Sequence, residues 1–86
     1  MVKGTTKTGF EFEIPKEKFN DWMLLKNLRN IDRGELGCVV DVAEFLFDDK
    51  LYTLENHVLR INGKVTIDGM ISELQNIMNF SDESKN

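Results

Sequence analysis

Cysteine, histidine, proline and tryptophan each occur once in this chain, and basic residues are outnumbered by acidic ones. Each shortage excludes something. The lone thiol, Cys38, cannot close an internal disulfide, and with only His57 beside it cannot assemble a zinc site. A reducing, cytosolic compartment is the expectation. Lys plus Arg total 11 against 15 Asp plus Glu, a net charge of −4, which argues against a broad basic surface for phosphate backbones. The N-terminus, Met1-Val2-Lys3-Gly4, lacks the apolar core of roughly 7–15 residues that a secretory signal needs. The longest apolar-rich stretch, Leu36 to Phe47, is interrupted by Asp41 and Glu44 and falls short of the ~18–20 residues of a membrane span.

Catalytic and cofactor motifs are missing too. Gly63-Lys64-Val65-Thr66 resembles the end of a phosphate loop without its upstream glycine. Asp48-Asp49-Lys50 lacks the alternating oxygen ligands and glycine of a calcium loop and reads as a helix end. His57, among Asn56, Val58 and Leu59, reads as a partly exposed helical histidine, and nothing requires it to meet Cys38 as a nucleophile–base pair. Asn79-Phe80-Ser81 is a chance glycosylation sequon in an unsecreted chain. No catalytic residue, cofactor or metal ligand is expected.

What is present is apolar residue in regular patterns. With 86 residues, 41% of them apolar and six of them Phe, the chain is too hydrophobic to be disordered and is sized for one small domain. A domain this small buries only about 60% of its unfolded surface, so a partner could supply part of its stability. Phe10-Glu11-Phe12-Glu13-Ile14 alternates strictly, placing Phe10, Phe12 and Ile14 on one face of a strand. Lys7-Thr8-Gly9 can turn the chain back on the Thr-rich segment before it, giving an N-terminal β-hairpin. Two strands are marginal in water, so the Phe face must rest on helices or on another subunit.

Pro15 ends the strand, and Asn20 or Asp21 can cap a helix over 21–31 with Leu24, Leu25, Leu28 and Ile31 in one stripe and Trp22 at its edge. Asp32-Arg33-Gly34 breaks it. A second helix over 35–48 is apolar on two sides. Leu36, Val39, Val40, Ala43 and Phe47 share one face; Cys38, Val42 and Phe45 lie nearly opposite. A helix apolar nearly all round is either central to its fold or covered by a partner, and the residues leave both open for the Cys38/Val42/Phe45 side. Residues 51–61 carry a helical stripe of Leu51, Leu54, Val58 and Ile61. Asn62-Gly63, however, reads equally as a left-handed helix cap or as the turn of a second hairpin over 58–67. Ile67, Met70, Ile71, Leu74, Ile77 and Met78 define a last amphipathic helix with Thr66 as its cap. The fold expected is α+β and mainly helical: an N-terminal hairpin on about four short helices, a single domain over 1–80, and a flexible polar tail over 81–86.

The order of these segments resembles the tail assembly chaperones of long-tailed bacteriophages and prophages of Gram-positive hosts. The resemblance spans residues 5–80. It rests on Thr6-Lys7-Thr8-Gly9-Phe10-Glu11-Phe12-Glu13-Ile14, Asp21-Trp22 with Leu24-Leu25, Ile31-Asp32-Arg33-Gly34, the Val/Ala/Leu-rich helix ending at Phe47, Leu51-Tyr52, and Asn62-Gly63-Lys64-Val65. The chain departs from the family at Lys26, Arg29, Arg60 and Ile61, where more acidic or polar residues are common. The resemblance implies a non-enzymatic protein of the host cytoplasm, absent from the finished virion. It implies a protein that keeps the tape measure protein soluble and helps bring tail tube subunits to it. Many members are made in two lengths by ribosomal frameshifting, and Lys85-Asn86 is a dipeptide a slippery run of A nucleotides could encode. The physics is compatible: a small acidic protein with spare apolar surface can cover a client's apolar stripes and resist precipitation by its charge. The residues expected to meet protein partners, including further copies of the chain, are Cys38, Val42, Phe45, Phe10 and Phe12; Val42→Asp or Phe45→Asp would then remove binding and spare the fold. The alternative function is a small nucleic-acid-binding regulator, because short helices can mimic a helix-turn-helix. Against it, Lys16, Lys18, Lys26, Arg29 and Arg33 are scattered along the sequence.

Overall fold

Strict alternation in Glu11–Ile14 produces a strand, β2, paired antiparallel to β1 (Val2–Thr5) in the register Val2↔Ile14 and Gly4↔Phe12. The turn is closed by the Thr6 amide donating to the Phe10 carbonyl and the Gly9 amide to the Thr6 carbonyl, both at 2.9 Å. A single 3-10 turn over Lys16–Phe19 leads into α1 (Trp22–Asp32), and α2 (Gly37–Phe47), α3 (Leu51–Asn62) and α4 (Ile67–Ser84) follow. The computed structural model describes residues 1–84. The hairpin rests mainly on α4, and α1 packs along α2. This is the mainly helical α+β architecture expected from the sequence.

The helix ends follow from local chemistry. Asp21 caps α1, accepting from the Met23 and Leu24 amides at 2.8 and 3.1 Å. Thr66 caps α4, its hydroxyl accepting from the Gly69 amide at 2.9 Å; both satisfy donors that have no partner within the helix. At Asn62-Gly63 the helical option wins. Gly63 takes the left-handed conformation (φ 80°) and its amide donates to the Leu59 carbonyl, ending α3. The second hairpin does not form, because Leu54 and Val58 are already committed to the core on helical spacing. Where a polar tail was expected over 81–86, α4 runs on to Ser84, and Lys85-Asn86, with the frameshift reading, lie outside the described residues.

One core joins all the layers. Val2, Phe12 and Ile14 of the hairpin, together with Phe10, meet Leu24, Val42, Leu46, Phe47, Leu54, Val58, Leu74 and Ile77 of the helices. Phe10 touches Phe47 (centroids 6.0 Å apart), and the Phe12 and Phe80 rings meet edge to face at 5.3 Å. The start of α4 approaches α3 so closely that a Cβ at Gly69 would lie 2.6 Å from Asn62 Nδ2, 2.7 Å from the capping Thr66 hydroxyl and 2.8 Å from Val58 Cγ1. Asn62 can swing away; buried Val58 cannot. Gly69→Ala gains up to about 1 kcal/mol of helix propensity but overpacks this contact by roughly 1–3 kcal/mol. A net loss of about 1 kcal/mol is expected, read as a thermal midpoint lower by roughly 4–8 °C.

Candidate functional site

Three of the five residues expected to bind partners, Val42, Phe10 and Phe12, are turned into the core. Val42 is 0% exposed, and Phe10 and Phe12 are buried. The face of α2 that carries Val42 is turned inward, beside Leu28 and Ile31 of α1 and Ile71 and Leu74 of α4. The Phe face of the hairpin is covered by Phe47, His57 and Phe80. Phe45 and Cys38 are half-buried at the margin of this face. Phe45 is covered by Lys18, whose ammonium lies 5.5 Å from the ring centroid, donates to the Phe45 carbonyl at 2.8 Å and pairs with Asp48. Of the two options left open for the Cys38/Val42/Phe45 stripe, the fold takes intramolecular burial at Val42 and leaves Cys38 and Phe45 half-buried at its edge. Helices α1 and α4 together supply enough apolar surface to cover it.

On the other stripe of α2, Val39, Ala43 and Phe47 are buried but Leu36 and Val40 are left uncovered. Val40 is 55% and Ile67 57% exposed, and Leu36 and Val65 are close behind. With Leu51, Ala43 and Met70 beneath them, they line an open groove of about 380 Å³ between α2, the first turn of α3 and the start of α4. The charged residue in its wall is Glu55. Glu44 stands one turn beyond Val40, and Lys50 and Lys64 adjoin Leu51 and Val65, whereas the Glu35 carboxylate lies 3.9 Å from Cys38 Sγ, on the other stripe of α2. A second apolar patch lies on the outer side of α1, where Trp22 is 71% exposed and Met23 and Leu25 are also in solvent. Leu25, expected in the core stripe, points away because Leu24, Leu28 and Ile31 alone complete the contact with α2 and α4.

A polar cluster locks the hairpin turn onto the helices. Glu73 of α4 is only 4% exposed, and Thr6 and His57 are buried beside it. The Thr6 hydroxyl donates to Glu73 Oε1 at 2.7 Å and the Thr8 hydroxyl to Oε2 at 2.9 Å; the Phe10 amide in turn donates to the Thr6 hydroxyl. Thr8 Oγ1 is also 2.9 Å from His57 Nε2, and an Arg60 guanidinium nitrogen is 3.2 Å from Nδ1. Arg60 can only donate, so Nδ1 accepts and Nε2 carries the proton, donating to Thr8. The bonds from Arg60 through His57 and Thr8 to Glu73 then run in one direction; the Thr6 and Thr8 hydroxyl oxygens are also 3.2 Å apart, with both their protons directed at Glu73. The cluster ties Thr6 and Thr8 of the hairpin turn to α3 and α4 and acts as a clasp. His57 was expected to be partly exposed. It is buried because the Phe10 ring, 5.2 Å away, covers it.

No protein-family model, curated protein or solved structure matches the chain.

Function must therefore be argued from the geometry. Among the described residues, no cluster of three or more His, Cys, Asp or Glu side chains could hold a metal ion, and no helix is long and apolar enough to cross a membrane. The groove is the feature with unsatisfied chemistry. Its walls hold apolar area in water, and a ligand that filled it would gain about 25 cal/mol for each Å² covered. Its openness on one side and its row of aliphatic side chains suit an amphipathic segment of polypeptide. Sequence reading placed Leu36 and Val40 on one face of α2 with Val39, Ala43 and Phe47 but could not show that the first two stay in solvent while the other three are buried.

Proposed function

We propose that the chain is a non-enzymatic assembly chaperone of the phage-tail type. On this reading it holds an apolar helical segment of the tape measure protein in the groove and helps bring tail tube subunits to it in the host cytoplasm. The observation that supports this reading is the groove itself: aliphatic side chains of α2, of the loop before α4 and of α4's first turn stand in solvent around one cleft on a net acidic protein. The ordered segments that resemble the tail assembly chaperones supply the client's identity. A helix seated in the groove would desolvate Leu36, Val40, Val65 and Ile67, at roughly 1–2 kcal/mol apiece. That is adequate for reversible holding and weak enough for release when the tube closes.

Co-purification of the full chain with a tape measure fragment tests this. The wild-type chain is expected to retain the fragment. Val40→Asp and Ile67→Asp, both at exposed positions, are expected to weaken retention at least about tenfold, or 1.4 kcal/mol, with unchanged circular dichroism. Retention that is indifferent to both substitutions would exclude the groove as the binding surface.

A further inference from the structure

Three large apolar side chains stand in water within four residues of α1: Trp22 is 71% exposed, Met23 57% and Leu25 58%. Bases gather on the same surface. At 100° per residue, Trp22, Lys26, Arg29 and the C-cap Arg33 fall within about 60° of one another, so an aromatic ring and three bases run in one line down the helix. Leu25 flanks this line on one side and Met23 on the other. The opposite side of α1 is fastened to the core by Leu24, Leu28 and Ile31, which holds the line outward. Among the described residues, none of the three bases is in an ion pair, and the acid that α1 itself carries is Asp32. The chain as a whole has a net charge of −4, so this stripe runs against the charge of the rest of the molecule.

We propose that the outer face of α1 docks an acidic amphipathic helix of another protein. Charge and composition choose this occupant. Lys26, Arg29 and Arg33 repeat at i, i+3 and i+7, about 4.5 and 6 Å apart along the axis, the spacing at which carboxylates recur on one face of a partner helix. Leucine-type side chains on that helix cover Leu25 and Met23, and Trp22 is the kind of aromatic anchor on which such contacts are built. A phosphate backbone would use the bases and stack on Trp22 but leave both aliphatic flanks in water. An anionic bilayer would meet Asp32 and the acidic body behind it. The face shares no residue with the groove, and the proposal stands whether or not the groove holds a tape measure segment. One helix on one helix face is a small interface, so the contact is reversible and weakens with salt.

Trp22 is the single tryptophan of the chain and reports on the face directly. The full chain is titrated with a synthetic, tryptophan-free helical peptide of about 18 residues, long enough to hold a helix, with Leu along one stripe and Glu beside it. Trp22 emission is expected to shift to shorter wavelength and to saturate. Raising sodium chloride from about 0.05 to about 0.5 M is expected to weaken binding at least about threefold. The double change Lys26→Glu with Arg29→Glu removes the charge, and Leu25→Ser removes an apolar anchor while keeping the reporter. Each is expected to keep a native circular dichroism spectrum and to bind at least about tenfold more weakly. The same peptide with Lys in place of Glu is expected to give no shift. A Trp22 signal that stays flat to millimolar peptide overturns the proposal, as does equal binding of the Glu and Lys peptides or binding indifferent to both sets of substitutions. A tighter response to oligothymidylate or to phosphatidylglycerol vesicles than to the Glu peptide would hand the face to a phosphate-bearing ligand instead. A shift that grows with protein concentration and no peptide would hand it to a second copy of the chain, and the proposal would again be wrong.

Discussion

Val42→Asp is expected to leave the chain unfolded at 25 °C, whereas Val40→Asp, two residues away, is expected to leave it folded. Val42 has no exposed surface and sits on the inward side of α2 beside Leu28, Ile31, Ile71 and Leu74. Replacing it removes about 1.5–3 kcal/mol of apolar burial. The new carboxylate then loses its water, at a further cost of several kcal/mol unless it is protonated or paired. The adjoining cleft offers little help, since Asp32 carries the same charge and leaves only Gln75 and Asn79 as polar neighbours. A domain of this length has roughly 4–13 kcal/mol of total stability, so the substitution consumes most or all of it. Val42→Ala, which only opens a cavity, is expected to cost about 2 kcal/mol. Val40→Asp is expected to fall within about 0.5 kcal/mol of wild type, as for other surface changes. Urea midpoints of the three variants check the series. A native circular dichroism spectrum for Val42→Asp would mean that the inward face of α2 is not core.

That contrast marks where sequence reading succeeds and where it stops. The hairpin was legible because Phe10, Phe12 and Ile14 alternate without exception, and α4 because its apolar arc is narrow and Thr66 stands at the capping position. Helix α2 was the opposite case. Both of its stripes are apolar, periodicity says only that they exist, and where the other elements arrive decides which residues of each are covered: Val39, Ala43 and Phe47 of one stripe and Val42 of the other are buried, while Leu36 and Val40 are not. The same long-range placement buries Cys38's neighbour Val42 and leaves Val40 in water. Asn62-Gly63 is ambiguous locally for a related reason, since a left-handed glycine serves a helix end and a hairpin turn equally well. The clasp left one readable trace. Glu73 borders the apolar arc of α4 on the side of Ile77, and a carboxylate buried in such a position needs donors of its own. The pattern could not say that they would be Thr6 and Thr8, from the far end of the chain.

Glu73→Ala is expected to cost about 3 kcal/mol, combining the cavity with two hydroxyls left without their acceptor. Glu73→Gln is nearly isosteric yet is still expected to cost about 1–2 kcal/mol. Its carbonyl can serve one threonine, but its amide then points a donor at the other: at Thr6 the displaced hydroxyl can turn to Thr8 Oγ1, 3.2 Å away, whereas at Thr8 it must turn toward His57 Nε2. That nitrogen already carries a proton, and moving the proton to Nδ1 would set it against the Arg60 guanidinium. The substitution therefore propagates through every member of the cluster. A purely structural clasp has a further consequence. Replacing Glu73 and both threonines together, as Glu73→Leu with Thr6→Val and Thr8→Val, should still cost less than the separate losses summed, because only the Phe10 amide and His57 Nε2 then lose a partner, whereas each single change strands other members of the cluster as well. Chemical denaturation of the single, double and triple variants gives the coupling directly, expected at about 1–3 kcal/mol, and exchange of the Thr6 and Phe10 amides reports whether the hairpin turn loosens first. Additive costs would show that Glu73 and the two threonines act independently. Coupled costs would establish that the hairpin turn is held to α3 and α4 by one cooperative unit, which must be closed for the Phe10 and Phe12 face to remain buried.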